Sequence, residues 1–177
     1  MKEVEVKILD IDRKQAEKIL VSLGAKKVFD DEVTTTIYDF PNKSIKTAKD
    51  LIRLRKLGKR SFLTFKKFIE HSQLKVRQEF EVEVSDFNTM HTILLSLGLW
   101  PEYQIKKHRT SYHLNDVHFD IDKHVDEYGF IPEFLEIEAT DVKTVKKYVT
   151  SLGYTRSQCK AWGFSEVINY YKKKQKR

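Results

Sequence analysis

Three stretches of the chain share one layout, and that layout fixes most of what can be built from it. "EVEVKILDIDRKQAEKILVSLG", "EFEVEVSDFNTMHTILLSLG" and "FLEIEATDVKTVKKYVTSLG" each run from a strand-like alternation, through an aspartate, to a helical pattern closed by Ser-Leu-Gly. The interval is the same each time: Asp12 to Gly24, Asp86 to Gly98, Asp141 to Gly153. An aspartate before a helix accepts its orphan amide hydrogens, and a glycine just after it takes the left-handed turn that ends it. The spacing therefore predicts three helices of about three turns. Their apolar residues fall on one face: Ala16, Ile19, Leu20 and Leu23; Ile93, Leu94 and Leu97; Val145, Tyr148, Val149 and Leu152. Such a stripe must be buried. The nearest surface is the apolar face of the preceding strand: Val4 and Val6, Phe80 and Val82, Leu135 and Ile137. The opposite faces of those strands carry Glu3 and Glu5, Glu79 and Glu81, Glu136 and Glu138.

Further strands repeat the charged stripe. "DLIRLRKL" places Arg53 and Arg55 together, and "RSFLTFKKF" groups Phe62, Thr64 and Lys66. In "LKVRQEFEVEV", Lys75 and Arg77 join Glu79, Glu81 and Glu83 on one face. "YQIKKHRTSYHL" aligns Lys107, Arg109 and Ser111, and "VHFDIDKH" sets Asp120 and Asp122 opposite Phe119 and Ile121. "LGKR" and "LNDV" read as hairpin turns, so the strands they join are antiparallel. In an open sheet the charged side would face solvent; in a barrel it would face the lumen. Eight or so antiparallel strands with amphipathic helices suit an α+β fold in which a closed eight-stranded barrel has a charged lumen and the helices pack outside.

The chain's 177 residues form one expected domain, 1–177. The stretch "FPNKSIKTAKD" reads as a loop or short helix near a mouth, and "HVDEYGFIPE" as a longer connection. A final helix is expected from about 165 to 177, capped by Ser165 and ending in the basic tail "YYKKKQKR". No apolar run reaches the roughly 18 residues of a membrane-spanning helix. No signal peptide is read at the start, and the single cysteine, Cys159, cannot form an internal disulfide. These features suggest a cytoplasmic protein. Net charge is +7, from 33 Lys and Arg against 26 Asp and Glu. Part of the excess is the tail, which reads as a solvated helix end.

Any one charged strand face could be solvated surface. The same stripe on six strands, with both signs in blocks, points to a site. The basic block is Lys7, Arg53, Arg55, Lys66, Lys75, Arg77, Lys107 and Arg109; the acidic block is Glu3, Glu5, Glu79, Glu81, Asp120, Asp122, Glu136 and Glu138. So many enclosed charges need partners. Cations of this kind hold polyphosphate, Arg by paired contacts and Lys as a point charge. Clustered carboxylates suit hard divalent cations such as Mg²⁺ or Mn²⁺. A metal-bridged triphosphate would satisfy both blocks. There is no glycine-rich phosphate loop, dinucleotide fingerprint or Cys/His zinc spacing.

The ordered set Glu3-x-Glu5-x-Lys7, "LIRLRK", "FLTFKK", "RQEFEVEV", "KKHRTSYHL", "HFDID" and "FLEIE" resembles the CYTH superfamily, the triphosphate tunnel metalloenzymes. The resemblance covers nearly the whole chain. Its length and "IKKHRTSYHLNDVHFDIDKH" are most similar to the class IV adenylate cyclase branch. The resemblance implies an eight-stranded antiparallel tunnel with Mg²⁺ or Mn²⁺ on Glu3, Glu5, Asp122, Glu136 and Glu138. It implies phosphate binding by Lys7, Arg53, Arg55, Lys66, Arg77, Lys107 and Arg109. Lys7, Arg55, Lys107 and Arg109 would stand closest to the chemistry. Lys75, Glu79, Glu81 and Asp120 would be further lumen residues without a fixed role. The implied substrate is ATP, converted to cyclic AMP and pyrophosphate; the alternative is hydrolysis of inorganic, thiamine or nucleoside triphosphate. A homodimer is compatible with the resemblance.

A third reading is a non-enzymatic polyphosphate or RNA binder. Phe65, Phe80 and Phe119 alternate onto the apolar face, which argues for core rather than base-stacking roles, so nucleic acid is not an expected partner. His118 and His124 flank the Asp pair on one strand face, where a metal role is conceivable, but they read as hydrogen-bonded neighbours. In the loop-like stretch "RSQCKAWG", Cys159 reads as inert and Lys160 as a surface group rather than a phosphate contact at the tunnel mouth. Tyr38 reads as packing.

Overall fold

A computed structural model of the protein describes residues 2–71 and 75–175; at positions 2, 3, 70, 71, 75 and 76 it defines the backbone alone. The chain runs β1 (Lys2–Ile8), α1 (Arg13–Ser22), β2 (Lys26–Asp39), α2 (Ser44–Thr47), β3 (Leu51–Leu57), β4 (Arg60–His71) and β5 (Lys75–Val84). It continues α3 (Phe87–Ser96), β6 (Trp100–Leu114), β7 (Val117–His124), β8 (Phe134–Ala139), α4 (Val142–Ser151), β9 (Cys159–Lys160) and α5 (Phe164–Gln175). Short 3₁₀ turns cover Asp126–Tyr128 and Arg156–Gln158.

The threefold unit forms as its residues dictate. Asp12, Asp86 and Asp141 accept from the main-chain N–H of Gln15, Thr89 and Thr144 at 3.1, 2.7 and 2.9 Å. Gly24, Gly98 and Gly153 have φ of +90°, +85° and +82°, the region where a side chain is strained.

The fold is α+β, with all strands in one curled antiparallel sheet. The order is β5-β4-β3-β2-β6-β7-β8-β1-β9, and β5 also pairs with β1. The expected closed eight-stranded barrel is therefore met in part. The sheet has a ninth strand, β9, in the "RSQCKAWG" stretch expected to be loop-like. β5 meets β1 over only four register pairs, Lys2–Glu5 against Gln78–Lys75, while β9 takes the same edge at Lys7 and Ile8. The "LGKR" and "LNDV" hairpins form as expected, the latter with Asn115 at φ +53°.

β2 occupies a stretch to which the sequence pattern assigns no element. β2 was not legible as a strand because its first half, Lys26–Glu32, is polar and mostly exposed. It is central nonetheless, pairing with β6 along its length and with β3 from Val33 to Tyr38.

The outer face of the sheet carries the helices. α1 and α4 lie over β1, β6, β7 and β8, and bury Val4, Val6, Phe119, Ile121, Leu135 and Ile137. All four predicted residues of α4 are buried. The central unit packs differently from its expectation. α3 uses Phe87, Met90 and Leu94 against Tyr38, Leu54, Ile52 and Leu63 rather than covering its own preceding strand. Phe80 and Val82 are thus left 52% and 57% exposed, and Ile93 and Leu97 are also exposed. Of the three phenylalanines expected in the core, Phe119 is fully buried, Phe65 half-buried and Phe80 exposed. Tyr38 packs as expected, with its hydroxyl 2.6 Å from His91 Nδ1.

α5 begins at Phe164 rather than at a Ser165 cap; the Glu166 carboxylate accepts from Gly163 N–H at 2.7 Å. Its apolar side meets Ile131 and Phe134. Tyr171 and Lys174 donate to Asp10, at the end of β1, at 2.9 and 3.0 Å. Part of the basic tail is thereby committed to an internal ion pair. Among the described residues no helix is long and apolar enough to cross a membrane.

Candidate active site

Because side chains alternate along a strand, burying one face of β1, β6, β7 and β8 under the helices sends their charged face inward. One wall comes from β1, β6, β7 and β8. Arg109 on β6 stands at its centre and is 8% exposed. Its guanidinium meets Asp122 through Nε and Nη2 at 2.7 Å each, Asp120 at 2.5 Å and Glu136 at 2.8 Å. Lys107 also pairs with Asp122. Lys7 lies 2.7 Å from Glu136 and 3.3 Å from Glu5. Burial opposes charge on all these groups. For Asp122, Arg109 and Lys107 outweigh it and hold the carboxyl below its usual range. For Lys7, Glu136 and Glu5 outweigh it and hold the ammonium above its range. Lys107 is the exception. Burial and the neighbouring Arg109 lower its pKa despite Asp122.

The facing wall comes from β3, β4 and β5. Arg53 donates to Glu79 at 3.0 Å and to Thr64 at 3.2 Å, Arg55 to Glu81 at 3.2 Å, and Lys66 pairs with Glu79. Thr64, with no exposed surface, donates to Glu81 at 2.7 Å. This wall has an excess of cation. Arg55 is pushed down to about 10 by burial and by Arg53 and Arg109, which its acidic neighbours do not offset. Burial likewise lowers Arg77. The Nε–H groups of Arg55 and Arg77 are buried and have no acceptor among the described residues.

The walls communicate. Arg55 feels Arg109, Arg77 feels Glu5, and Glu138 feels Lys66. The sheet thus brings together Lys7, Arg53, Arg55, Lys66, Arg77, Lys107 and Arg109 with Glu5, Glu79, Glu81, Asp120, Asp122, Glu136 and Glu138. The side chains of Glu3 and Lys75 lie outside the described residues. Asp120, which the sequence placed without a role, is an Arg109 partner.

The carboxylates do not form a ready ligand cluster: among the described residues no three Asp, Glu, His or Cys are gathered to hold a metal. The reason is visible in the ion pairs, since Glu5, Asp122 and Glu136 are each turned toward a cation. Glu138 differs. Its pKa is pushed up to about 7, by burial first; Lys66 lowers it, and Glu5, Asp120 and Glu136 raise it. A carboxyl so destabilised as an anion, among other carboxylates, is the kind of donor set that a hard divalent cation relieves. The residues present fit such an ion.

His124 stacks between Phe134 and Phe164 with ring centroids 5.5 and 4.7 Å apart. Burial pushes it down to about 4, so it stays neutral at ordinary pH. His118 stacks on His113 at 4.5 Å. Lys160 donates to the Ser157 carbonyl at 3.2 Å, and the thiol of Cys159 is raised by burial, in keeping with surface and inert roles.

Comparison with known proteins agrees with this architecture. A family model, the CYTH domain, matches residues 1–158. No curated protein matches the chain. Among solved structures, the PH1012 protein of Pyrococcus horikoshii is 23% identical, covers 93% of this chain and 98% of its own, and has a TM-score of 0.76. A Vibrio parahaemolyticus protein described as a candidate adenylate cyclase is 14% identical over 94% and 97%, with a TM-score of 0.77. A candidate adenylyl cyclase from Hippeastrum, described as having a dominant triphosphatase activity, is 11% identical over 92% and 90%, with a TM-score of 0.62. At these identities the solved structures establish the fold, and the family model, matched over most of the chain, establishes more: this protein belongs to the CYTH domain family.

Proposed function

We propose that the curled sheet works as a closed tunnel that holds a triphosphate against Mg²⁺ or Mn²⁺, and that the chain is a metal-dependent enzyme acting on that substrate. The observation that carries this reading is the uncompensated cation on one wall. The buried Nε–H donors of Arg55 and Arg77 have no acceptor among the described residues, and they face a wall on which carboxylates outnumber cations. A chain of phosphates would supply acceptors to the first wall.

Phosphoryl and nucleotidyl transfer depend on positioning and charge neutralisation more than on covalent help from the protein. Arg53, Arg55, Lys66 and Arg77 would grip phosphate oxygens from β3, β4 and β5. Lys7, Lys107 and Arg109 would do so from the opposite wall as they exchange carboxylate partners for phosphate. Glu5, Asp122, Glu136 and Glu138, with Glu3, would hold the metal. When bound, the metal supplies charge neutralisation at the bridging oxygens. Glu79 and Glu81 orient the arginines. Asp120 fixes Arg109, whose fork also spans Asp122 and Glu136.

The reaction we favour is attack of the ATP 3′-hydroxyl on the α-phosphorus, giving cyclic AMP and releasing pyrophosphate. Hydrolysis of the terminal phosphate is the second reading; it draws support from the triphosphatase activity described for the Hippeastrum protein of the same fold. Such soluble-substrate chemistry goes with a cytoplasmic setting.

Incubation with ATP, thiamine triphosphate and inorganic triphosphate, each with Mg²⁺ or Mn²⁺, distinguishes the readings. Cyclic AMP is the expected product from ATP. Orthophosphate without cyclic AMP would replace the cyclase with a triphosphatase. No product from any of the three, with binding retained, would leave a binder and end the enzyme reading.

A further inference from the structure

Beside the charged wall lies a cavity of about 650 Å³. It is lined by Tyr103, Gln104 and Lys106 of β6 and by Asp126, Glu127 and Tyr128 of the 3₁₀ turn that follows β7. None of these residues belongs to the phosphate-gripping set. Its size is that of a small-molecule pocket, which typically spans about 300–1,000 Å³.

Three features relate this cavity to the tunnel. First, Tyr103 lies on the same β6 face as Ile105, Lys107 and Arg109, and it interacts electrostatically with Arg77. Tyr103 is 38% exposed, so its ring is available at the tunnel lip. Second, Tyr128 is held in place by an aromatic train that starts at Phe134, which shares its β8 face with Glu136. Phe134 stacks on His124, His124 on Phe164, and Phe164 meets Tyr128 edge-on at 4.9 Å and 82°. Third, one edge of β6 is open here. Residues 100–105 pair with β2 on one side, and β7 joins the other side only from Lys107 onward. Main-chain donors and acceptors on that edge therefore remain available beside the cavity. The Gln104 side chain, bonded to Thr36 Oγ1 at 3.1 Å through its nitrogen, retains its oxygen as an acceptor.

The charges around the cavity set what could enter. Lys106 is paired with Asp126 at 3.3 Å, and Glu102 with Lys43. The rim thus offers no uncommitted cation, and Glu127 adds a carboxylate. Phosphate is disfavoured there and favoured between the walls, some residues away along β6. A planar, uncharged group with polar edges suits the two tyrosine rings and the open strand edge.

We propose that the Tyr103–Tyr128 cavity seats the heteroaromatic base of a nucleoside triphosphate whose phosphates lie in the charged tunnel. The proposal rests on the triphosphate reading above and deepens it. It makes Tyr103 and Tyr128 the residues that separate an organic triphosphate from an inorganic one. Stacking on an aromatic side chain contributes about 1–3 kcal/mol per base.

The test is the affinity of ATP and of inorganic triphosphate, each with Mn²⁺, for the wild type, Tyr103→Ala, Tyr103→Phe and Tyr128→Ala. Stacking of that strength predicts that Tyr103→Ala weakens ATP by about 5- to 150-fold. Inorganic triphosphate should stay within about twofold, and Tyr103→Phe should keep ATP near wild type because the ring is retained. Tyr128→Ala should show the same selective loss, which covers a failure of Tyr103→Ala to fold. If both ligands weaken together, or ATP binding is indifferent to both alanine variants, the base subsite is overturned while the tunnel stands. If the wild type binds neither ligand, the tunnel reading itself is overturned.

Discussion

Arg109→Ala will destabilise the protein by about 3–5 kcal/mol, the range found when one partner of a buried charge network is removed. Arg109 is the sole residue in contact with Asp120, Asp122 and Glu136 together among the described ion pairs. Asp122 has no exposed surface. Without the guanidinium it keeps, among the described ion pairs, only Lys107, whose own charge burial already disfavours. Arg109→Lys should recover only part of the loss, because an ammonium cannot reproduce the planar fork that reaches three carboxylates. Urea denaturation measures this directly. A loss below about 1 kcal/mol would mean that these pairs behave like exposed ones and that the wall is solvated.

Arg55→Ala will do the reverse: it will spare stability and weaken triphosphate binding. Arg55 sits in a field of like charge from Arg53 and Arg109. Its one acidic partner, Glu81, keeps Thr64 at 2.7 Å and Arg53 at 3.7 Å. Removal should change unfolding free energy by no more than about 1 kcal/mol. A charge-assisted contact to phosphate contributes about 1.5–3 kcal/mol, so affinity should fall by about 10- to 150-fold. Thermal unfolding and ligand titration on the same sample separate the two effects. A large stability loss with unchanged affinity would make Arg55 a structural cation. The contrast between Arg109 and Arg55 follows from one physical difference: the first cation is over-supplied with carboxylate and the second is not. A site strained toward its ligand commonly gives up stability in this way.

The inward residues were legible in the sequence because strand alternation is strict. Lys107 and Arg109, or Glu136 and Glu138, had to share a face whatever the tertiary fold. Capping was equally legible, since Asp12, Asp86 and Asp141 act on amides three residues away. What required the structure was long-range. Which strand each helix covers is a tertiary choice that the local pattern does not encode: α3 packed over Leu54 and Tyr38 and left Phe80 and Val82 uncovered. β2 was hidden because its first half, Lys26–Glu32, is held by main-chain pairing to β6 on one edge and is otherwise exposed, so it carries no apolar pattern of its own. β9 is two residues long, too short for any periodicity. The pairing choices inside the site were also illegible. Period-2 spacing puts both charges on one face but does not say that Asp120 would meet Arg109, or that Arg55 would be left in excess. Tyr103 and Tyr128 lie on separate elements, and only folding brings them to one cavity.

The central claim is that two facing walls, one rich in cation and one in carboxylate, together hold a triphosphate with its metal. Calorimetric titration of inorganic triphosphate into the protein, with and without Mn²⁺, tests it most directly. The account predicts saturable binding of one triphosphate per chain that strengthens with Mn²⁺. The contradicting result is heat that never saturates, or binding indifferent to the metal.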